Sequence, residues 1–154
     1  MTRYLLKHGR SQVPLRILFL VGAPLFLGSC SSATAPVLTT WEGALVPELP
    51  HVVTGRIAAV TQFGRTRASV QLEEGDPDLT YGWRINEGSC QAEGDLQGGP
   101  ASYPPLNPSD FGTASGETTI AEVFREGDAY AVRVFLAAGG GEEIVACGEL
   151  TRTQ

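Results

Sequence analysis

The sequence predicts an all-β domain, an antiparallel sandwich or barrel, that follows an N-terminal signal peptide. Three observations support this: six short segments alternate between apolar and polar residues, turns rich in Gly, Pro and Asp separate them, and no helical pattern of comparable length occurs. The chain has 154 residues and a mass of 16.3 kDa, which suits one domain. Its 42% of hydrophobic and 18% of charged residues are close to the values of globular proteins.

The predicted strands are 52–61, 67–73, 79–86, 118–124, 130–137 and 143–150. Successive side chains of a strand point to opposite faces, so one row should pack into the core and the other should meet solvent. The rows assigned to the core include Leu79, Tyr81, Trp83, Ile85, Val132, Val134 and Leu136. The rows assigned to solvent include Arg84, Asn86, Ala131, Arg133 and Phe135. Residues 94–116 carry no periodic pattern and are predicted to form a long functional or mobile loop.

The first 16 residues are basic, and a short apolar run follows them. They contain four Lys or Arg residues and no acidic residue, and residues 17–27 are apolar. This order is typical of a signal peptide, because the run is shorter than the roughly 20 residues of a membrane-spanning helix. The run ends in Leu27-Gly28-Ser29-Cys30, which resembles the bacterial lipobox. The resemblance implies cleavage before Cys30 and lipid attachment to its side chain; the alternatives are a plain secretory signal cleaved elsewhere and an uncleaved anchor.

The lipobox divides the chain into a lipoprotein signal peptide at 1–29, a small-residue tether at 30–40 and a β-domain at 41–154. A lipid on Cys30 implies a protein of the bacterial cell envelope that has the membrane as a partner. Ser31 occupies the position at which some enteric lipoproteins carry an Asp that retains them at the inner membrane. We therefore expect the outer membrane, with the domain facing the periplasm or the cell surface.

The charge of the chain argues against nucleic acid as a partner. The whole chain has a net charge of -6, with 11 basic and 17 acidic residues. Without residues 1–29 it keeps 7 Arg, no Lys and all 17 acidic residues, a net charge of -10. Nucleic-acid binding relies on clustered basic residues, which are not visible here. Anionic headgroups also repel an acidic domain, so attachment to a membrane must come from acyl chains.

Cys90 and Cys147 remain as an even pair once Cys30 is acylated. In an oxidising compartment such a pair forms a disulfide by default. It would connect the loop after the third predicted strand to the last strand. A redox-active or metal-binding thiol pair is the alternative, although the spacing is not that of a redox motif.

Two sequence segments resemble the copper/zinc superoxide dismutases. Residues 82–90 (GWRINEGSC) and 146–148 (ACG) are similar to the two cysteine motifs of that family. Residues 130–135 (YAVRVF) are also similar to a strand of the related bacterial CHRD-type domains. The resemblance implies a Greek-key β-sandwich in which these two cysteines form the structural disulfide.

The metal-binding residues of the dismutases are missing at the matching positions. The copper-site histidines correspond to Arg84, Asn86 and Phe135, and the active-site arginine corresponds to Ile144. In the zinc-site segment, Asn107 replaces a histidine and Asp110 alone matches a ligand. Imidazole nitrogen is the ligand type that copper requires in such a site, and a guanidinium at position 84 opposes a bound cation. We therefore expect no cofactor and no dismutase activity, with Asp110 as a weak metal-ligand candidate.

The functional hypothesis is a non-enzymatic, lipid-anchored envelope protein whose β-domain is a binding or structural module. The predicted binding patch consists of Arg84, Asn86, Arg133 and Phe135, which should lie together on the outer face of neighbouring strands and recognise an unknown protein or envelope ligand. An inert, solvated sheet face is the alternative interpretation of these residues. The alternative function is a dismutase-class enzyme or metal carrier with an unconventional site.

Three weaker candidates have plain structural interpretations beside the functional ones. The acidic segment 73–78 could hold calcium but is more typical of a solvated turn. His51 could act in catalysis but more simply precedes a strand at the surface. Residues 103–106 (YPPL) could present an aromatic ring to a partner or form a rigid loop packed against the domain.

Overall fold

The computed structural model describes residues 38–137 and 142–153, and these residues confirm the all-β, antiparallel prediction. The predicted signal peptide, Cys30 and residues 31–37 of the tether lie outside the described residues. Within the described part of the chain, no helix has the length and hydrophobicity needed to cross a bilayer. The elements are β1 Thr39–Pro47, β2 Thr54–Gln62, β3 Arg65–Glu73, β4 Tyr81–Gly88, β5 Glu93–Leu96, a 3-10 helix at Pro100–Ser102, β6 Ala114–Ile120, β7 Tyr130–Leu136 and β8 Ile144–Arg152.

The eight strands form one curled antiparallel sheet in the order β5-β4-β7-β8-β1-β2-β3-β6. β1, β2 and β3 are joined as consecutive neighbours, whereas β4 pairs with β5 and β7, and β6 pairs with β3. The β3–β4, β5–β6 and β6–β7 connections therefore pass between the two halves of the sheet, as in Greek-key folds. β8 pairs with both β7 and β1 and joins the halves.

The inner face of the curled sheet carries the core. Its fully buried large side chains alternate along the strands, as period-two patterning requires. These residues are Trp83, Leu72, Ile85, Val70, Val132, Val134 and Val145, and Leu106 from the connection before β6 joins the same core. The prediction was wrong for Leu79, which lies before β4 and is 37% exposed, whereas Tyr81, Trp83 and Ile85 are buried as predicted.

Residues 97–106 cover the seam between the two edge strands, β5 and β6. Trp83 Nε1 donates to the Pro104 carbonyl at 2.9 Å, and Thr118 Oγ1 donates to the Ser102 carbonyl at 2.7 Å. The Tyr103 ring meets Trp83 edge-on, with 5.0 Å between the ring centroids. The YPPL segment therefore forms a loop packed against the domain, which was one of its two predicted interpretations.

An aromatic cluster closes one end of the barrel. The Phe124 and Tyr130 rings stack with centroids 4.0 Å apart, and Trp41 meets them edge-on at 6.0 and 5.6 Å. Phe124 was predicted to lie in a strand at 118–124, but β6 ends at Ile120 and Phe124 lies in the following loop. This end receives the chain from the predicted tether, and we call it the tether end; it comprises residues 38–40, 61–67, 87–88, 117–130 and 151–153.

Two further boundaries differ from the predictions. β1 begins at Thr39, within the segment predicted as tether, and Trp41 belongs to the core. The segment 94–116 is not a single irregular loop, since it contains most of β5, the 3-10 helix and the start of β6.

Candidate functional site

The four residues of the predicted patch lie on the outer surface of two paired strands. The register of β4 against β7 places Arg84 opposite Arg133, with Asn86 opposite Ala131 and Phe135 opposite Gly82. Their neighbours in sequence, such as Trp83 and Val134, point into the core. We call Arg84, Asn86, Arg133 and Phe135 the arginine face.

The arginine face is largely covered, which contradicts part of the prediction. Arg84 and Phe135 are partly buried, whereas Asn86 and Arg133, predicted to face solvent, are only 3% and 4% exposed. Ala131, also assigned to solvent, is fully buried. Alternation along a strand says which side a residue points to, but the segment that reverses after β4 covers this side.

A disulfide-distance pair fixes that covering segment. Cys90 lies in the β4–β5 turn and Cys147 in β8, with the Sγ atoms 2.07 Å apart and the Cα atoms 5.9 Å apart. Cys147 pairs directly with Arg133, so the turn is held above Arg133. The Arg133 guanidinium donates through Nη2 to the carbonyls of Ser89 at 2.7 Å and Cys90 at 3.4 Å. Arg133 therefore lies beneath the turn and stabilises it through hydrogen bonds to two of its carbonyls.

Arg84 is saturated by polar partners. Its Nε donates to Asn86 Oδ1 at 3.2 Å and its Nη2 to Glu93 Oε1 at 2.9 Å, while Nη1 pairs with Glu142. Burial acts to lower the pKa of Arg84, but the hydrogen bonds and charges of Glu142 and Glu93 outweigh it and raise this pKa above its usual value. Arg84 is therefore a permanent cation between two carboxylates.

Glu93 links the two arginines. Its Oε2 lies 3.8 Å from Arg133 Nε while its Oε1 accepts from Arg84. Arg133 Nη1 is buried and has no hydrogen-bond partner. Both arginine side chains are well covered, at 15% and 5% exposure, so the attraction to Glu93 is screened less than in a surface pair.

Phe135 can lie flat along β4 because the residue opposite is a glycine. A Cβ at Gly82 would lie 2.3 Å from the Phe135 ring. The ring then faces Arg84, whose guanidinium carbon lies 5.1 Å from the ring centroid, within the range of a cation–π contact.

A cavity of about 380 Å³ opens beside Arg84. Its lining combines aromatic and aliphatic side chains with charged groups. Its lining residues are Trp83, Arg84, Asn86, Glu93, Gly94, Asp95, Leu96, Pro100, Tyr103, Phe135 and Glu142. A mixed lining of this kind is typical of small recognition sites. A larger hollow of about 520 Å³ beside β3 and β6 has Glu73 as its one charged lining residue.

The residues at the dismutase metal positions do not fit a copper or zinc ion. Arg84 is a cation, and Asn86 uses its Oδ1 to accept from Arg84 and its Nδ2 to donate to the Gly94 carbonyl at 3.2 Å. Asp110 is exposed in the loop before β6, and Asn107 accepts from Thr80 Oγ1 at 2.9 Å. Across residues 38–137 and 142–153, no three His, Cys, Asp or Glu side chains are grouped for a metal.

The remaining sequence candidates lie apart from the arginine face. His51 Nε2 lies 2.9 Å from Glu143 Oε1. In the acidic segment, Asp76 Oδ1 accepts from the Asp78 amide at 2.9 Å and caps its own turn. Cys30 lies outside the described residues.

Comparison with known proteins finds no matching family model, no matching curated protein and no matching solved structure. The dismutase and lipobox similarities therefore remain resemblances in short motifs.

Sequence reasoning missed the two carboxylates that complete the site. Glu93 lies in β5, a strand of four residues with no apolar alternation, and Glu142 lies in the β7–β8 connection. The sequence signal that could have revealed Glu93 is the pair of glycines at Gly88 and Gly94, because glycines at and after the end of β4 indicate a reversal of the chain there. Gly88 has φ of 99°, a conformation that glycine adopts without strain and that lets the chain reverse over β4.

Proposed function

We propose that the protein is a non-enzymatic, lipid-anchored component of the bacterial cell envelope whose β-domain binds a protein or another envelope ligand at the arginine face. The observation that carries the proposal is the cavity of about 380 Å³ in which Arg84 is held between carboxylates and beside aromatic rings. Arginine and aromatic side chains supply most of the binding free energy in many interfaces.

An acidic group of the partner would compete with Glu142 for Arg84. Glu142 is the more exposed of the two carboxylates, at 55% against 43% for Glu93, so it is displaced more easily. Phe135 and Tyr103 would then contact an apolar part of the same partner. Binding of this kind needs no metal and no bond cleavage.

Photocrosslinking in living cells tests the binding site. A photoreactive phenylalanine analogue replaces Phe135 in one variant and the 91% exposed Phe111 in the control. We expect a discrete crosslinked product at position 135 that disappears with Arg84→Gln but persists with Arg56→Gln, an exposed arginine on another face. Absence of a product at 135, or the same product at both positions, would overturn the proposed site.

Two further measurements test the anchor and the non-enzymatic assignment. Labelled palmitate should enter the protein and should be lost with Cys30→Ala. Purified protein should carry no stoichiometric copper and show no superoxide dismutase activity. Stoichiometric copper together with that activity would instead establish the dismutase-class alternative.

A further inference from the structure

The two ends of the barrel differ in charge. The tether end carries four arginines and five acidic residues, namely Arg65, Arg67, Arg125, Arg152, Glu87, Glu117, Glu122, Glu126 and Asp128. The far end comprises residues 47–54, 73–81, 107–113, 136–137 and 142–144 and has no Arg or Lys. Its eight acidic residues are Glu48, Glu73, Glu74, Asp76, Asp78, Asp110, Glu142 and Glu143. The far end therefore carries a net charge of -8, out of the net charge of -10 that follows Cys30.

Contacts among strand ends and loops make the tether end one continuous surface. The Thr153 amide donates to the Thr40 carbonyl at 2.9 Å, which places the two ends of the described chain together. Thr66 Oγ1 donates to the Glu122 carbonyl at 2.7 Å, so the β6–β7 loop lies against the β2–β3 hairpin. Arg152 pairs with Glu126 across the same surface.

Phe63 projects from this surface. It is 78% exposed at the tip of the β2–β3 hairpin, and its φ of 51° lies in the left-handed region that bulky residues avoid. With Gly64 at φ of 74°, it forms a two-residue turn in which both residues have positive φ. Leu38 and Val123 at the same end are 50% and 44% exposed. A large apolar side chain kept exposed at a disfavoured backbone position suggests a role outside the fold.

The length of the predicted tether keeps this end close to any lipid on Cys30. Seven residues lie between Cys30 and Leu38, and the eight steps of a fully extended chain between them span at most about 28 Å. The far end also exposes apolar residues, with Leu49 at 92%, Phe111 at 91% and Val52 at 65%, but it carries eight acidic residues and no Arg or Lys. An anionic lipid surface repels that end and tolerates the nearly neutral tether end.

We propose that the tether end is a membrane-contacting surface, with Phe63 inserted among the headgroups of an anionic phospholipid bilayer and the far end directed away from it. This inference rests on the proposed lipid anchor at Cys30. The occupant is the bilayer because the predicted anchor, four of the seven arginines that follow Cys30 and the exposed Phe63 meet at the same end of the barrel, whereas the exposed apolar residues of the far end share that end with eight acidic residues. The orientation leaves the cavity beside Arg84 on the side of the barrel, where a partner can reach it.

A matched pair of tryptophan variants tests the orientation. The full chain, produced in a bacterium that processes lipoproteins, is reconstituted into vesicles of phosphatidylglycerol and brominated phosphatidylcholine. Phe63→Trp and Phe111→Trp each add one exposed tryptophan, and the wild-type protein gives the background of Trp41 and Trp83, which are 3% and 2% exposed. We expect the added tryptophan to be quenched at least about twofold more strongly at position 63 than at position 111, because bromine quenches only at close range.

The outcomes separate this inference from the proposed anchor. Labelled palmitate is followed in the same preparations. Incorporated palmitate with equal quenching at both positions, with stronger quenching at position 111, or with none at either would overturn the orientation while the anchor stands. Absence of palmitate would overturn the anchor, and the membrane-contacting surface with it.

Discussion

Two groups of paired arginine and glutamate side chains on the outer surface of the same sheet have different environments. Arg84 and Arg133 in β4 and β7 are 15% and 5% exposed and share Glu93. Arg67 in β3 is 73% exposed and lies 3.7 Å from Glu117 in β6, which is 67% exposed. The strands alternate in the same way in both places. The returning β4–β5 segment and the Cys90–Cys147 pair make the difference, because they cover one outer face and leave the other bare.

Removal of the Cys90–Cys147 bond over the arginine face should have the largest effect on the free energy of unfolding. Replacement of both Cys90 and Cys147 by Ser should lower the free energy of unfolding by about 4 kcal/mol, because the bond closes a loop of 57 residues and restricts the unfolded chain. Urea unfolding of the variant and of reduced wild-type protein should give matching values. A loss below about 1 kcal/mol would contradict the expected restriction of the unfolded chain by this bond.

Removal of the Arg133 guanidinium beneath the turn should have the next largest effect on the free energy of unfolding. Arg133→Met leaves the carbonyls of Ser89 and Cys90 without their donor and should cost about 3 kcal/mol. Arg67→Met, the same change on the bare face, should cost less than about 0.5 kcal/mol because exposed pairs contribute little. Equal losses of the free energy of unfolding in the two variants, measured with urea, would show that the two faces do not differ in this respect.

Alkaline pH should destabilise the fold at residues 97–106, which cover the seam between β5 and β6 next to the arginine face. Burial raises the pKa of Tyr103 to about 12, with the negative charge of Glu122 adding to the rise and a backbone hydrogen bond opposing it. An acid whose pKa is higher in the folded than in the unfolded state stabilises the fold below the unfolded pKa near 10 and loses this contribution as the pH rises through 12.

The expected loss between pH 10 and 12 is on the order of 1–2 kcal/mol for Tyr103. Urea unfolding across this range should show a shallower decline for Tyr103→Phe than for the wild type. Burial also raises the pKa of Tyr130, so some decline should remain in the variant. Parallel declines in the two proteins would exclude Tyr103 as the source.

The smallest difference in stability is expected between substitutions of Glu93 and Glu117, the carboxylate partners of Arg84 and Arg67. Glu93→Gln weakens the pairing with Arg84 and should cost about 1 kcal/mol, since the Arg84 side chain is only 15% exposed. Glu117→Gln should change stability by less than about 0.5 kcal/mol. Thermal unfolding in low and high salt sharpens the contrast, because salt should weaken the exposed pair more than the covered one.

The residues explain which parts of the fold are predictable from sequence. Alternation correctly placed most of the β4 and β7 core residues, because their inward residues are large and apolar. It missed the start of β6, whose inward residues Ala114 and Gly116 give little apolar signal. Gly116 is small because a Cβ there would lie 2.7 Å from Leu106 and 3.0 Å from Trp83 Nε1.

The site was predictable as a set of side chains on one face but not as a covered surface. The register brings Arg84 opposite Arg133, as alternation and neighbouring strands suggested. Their burial depends on where residues 89–96 fold, and that segment has no periodic signal of its own. Glu142 joins the site from another connection, so its role depends on tertiary structure alone.

The pairing of β1 with β8 affects how the domain can fold. Trp41 lies opposite Arg152, so the first strand of the barrel gains its second neighbour only when the last strand is present. Contacts between such distant parts of a chain slow folding, and an unpaired β1 edge is open to other chains during that time. The position of Cys147 beneath the β4–β5 turn also requires β8 in place beside β7. Formation of the Cys90–Cys147 bond should therefore mark the completion of folding.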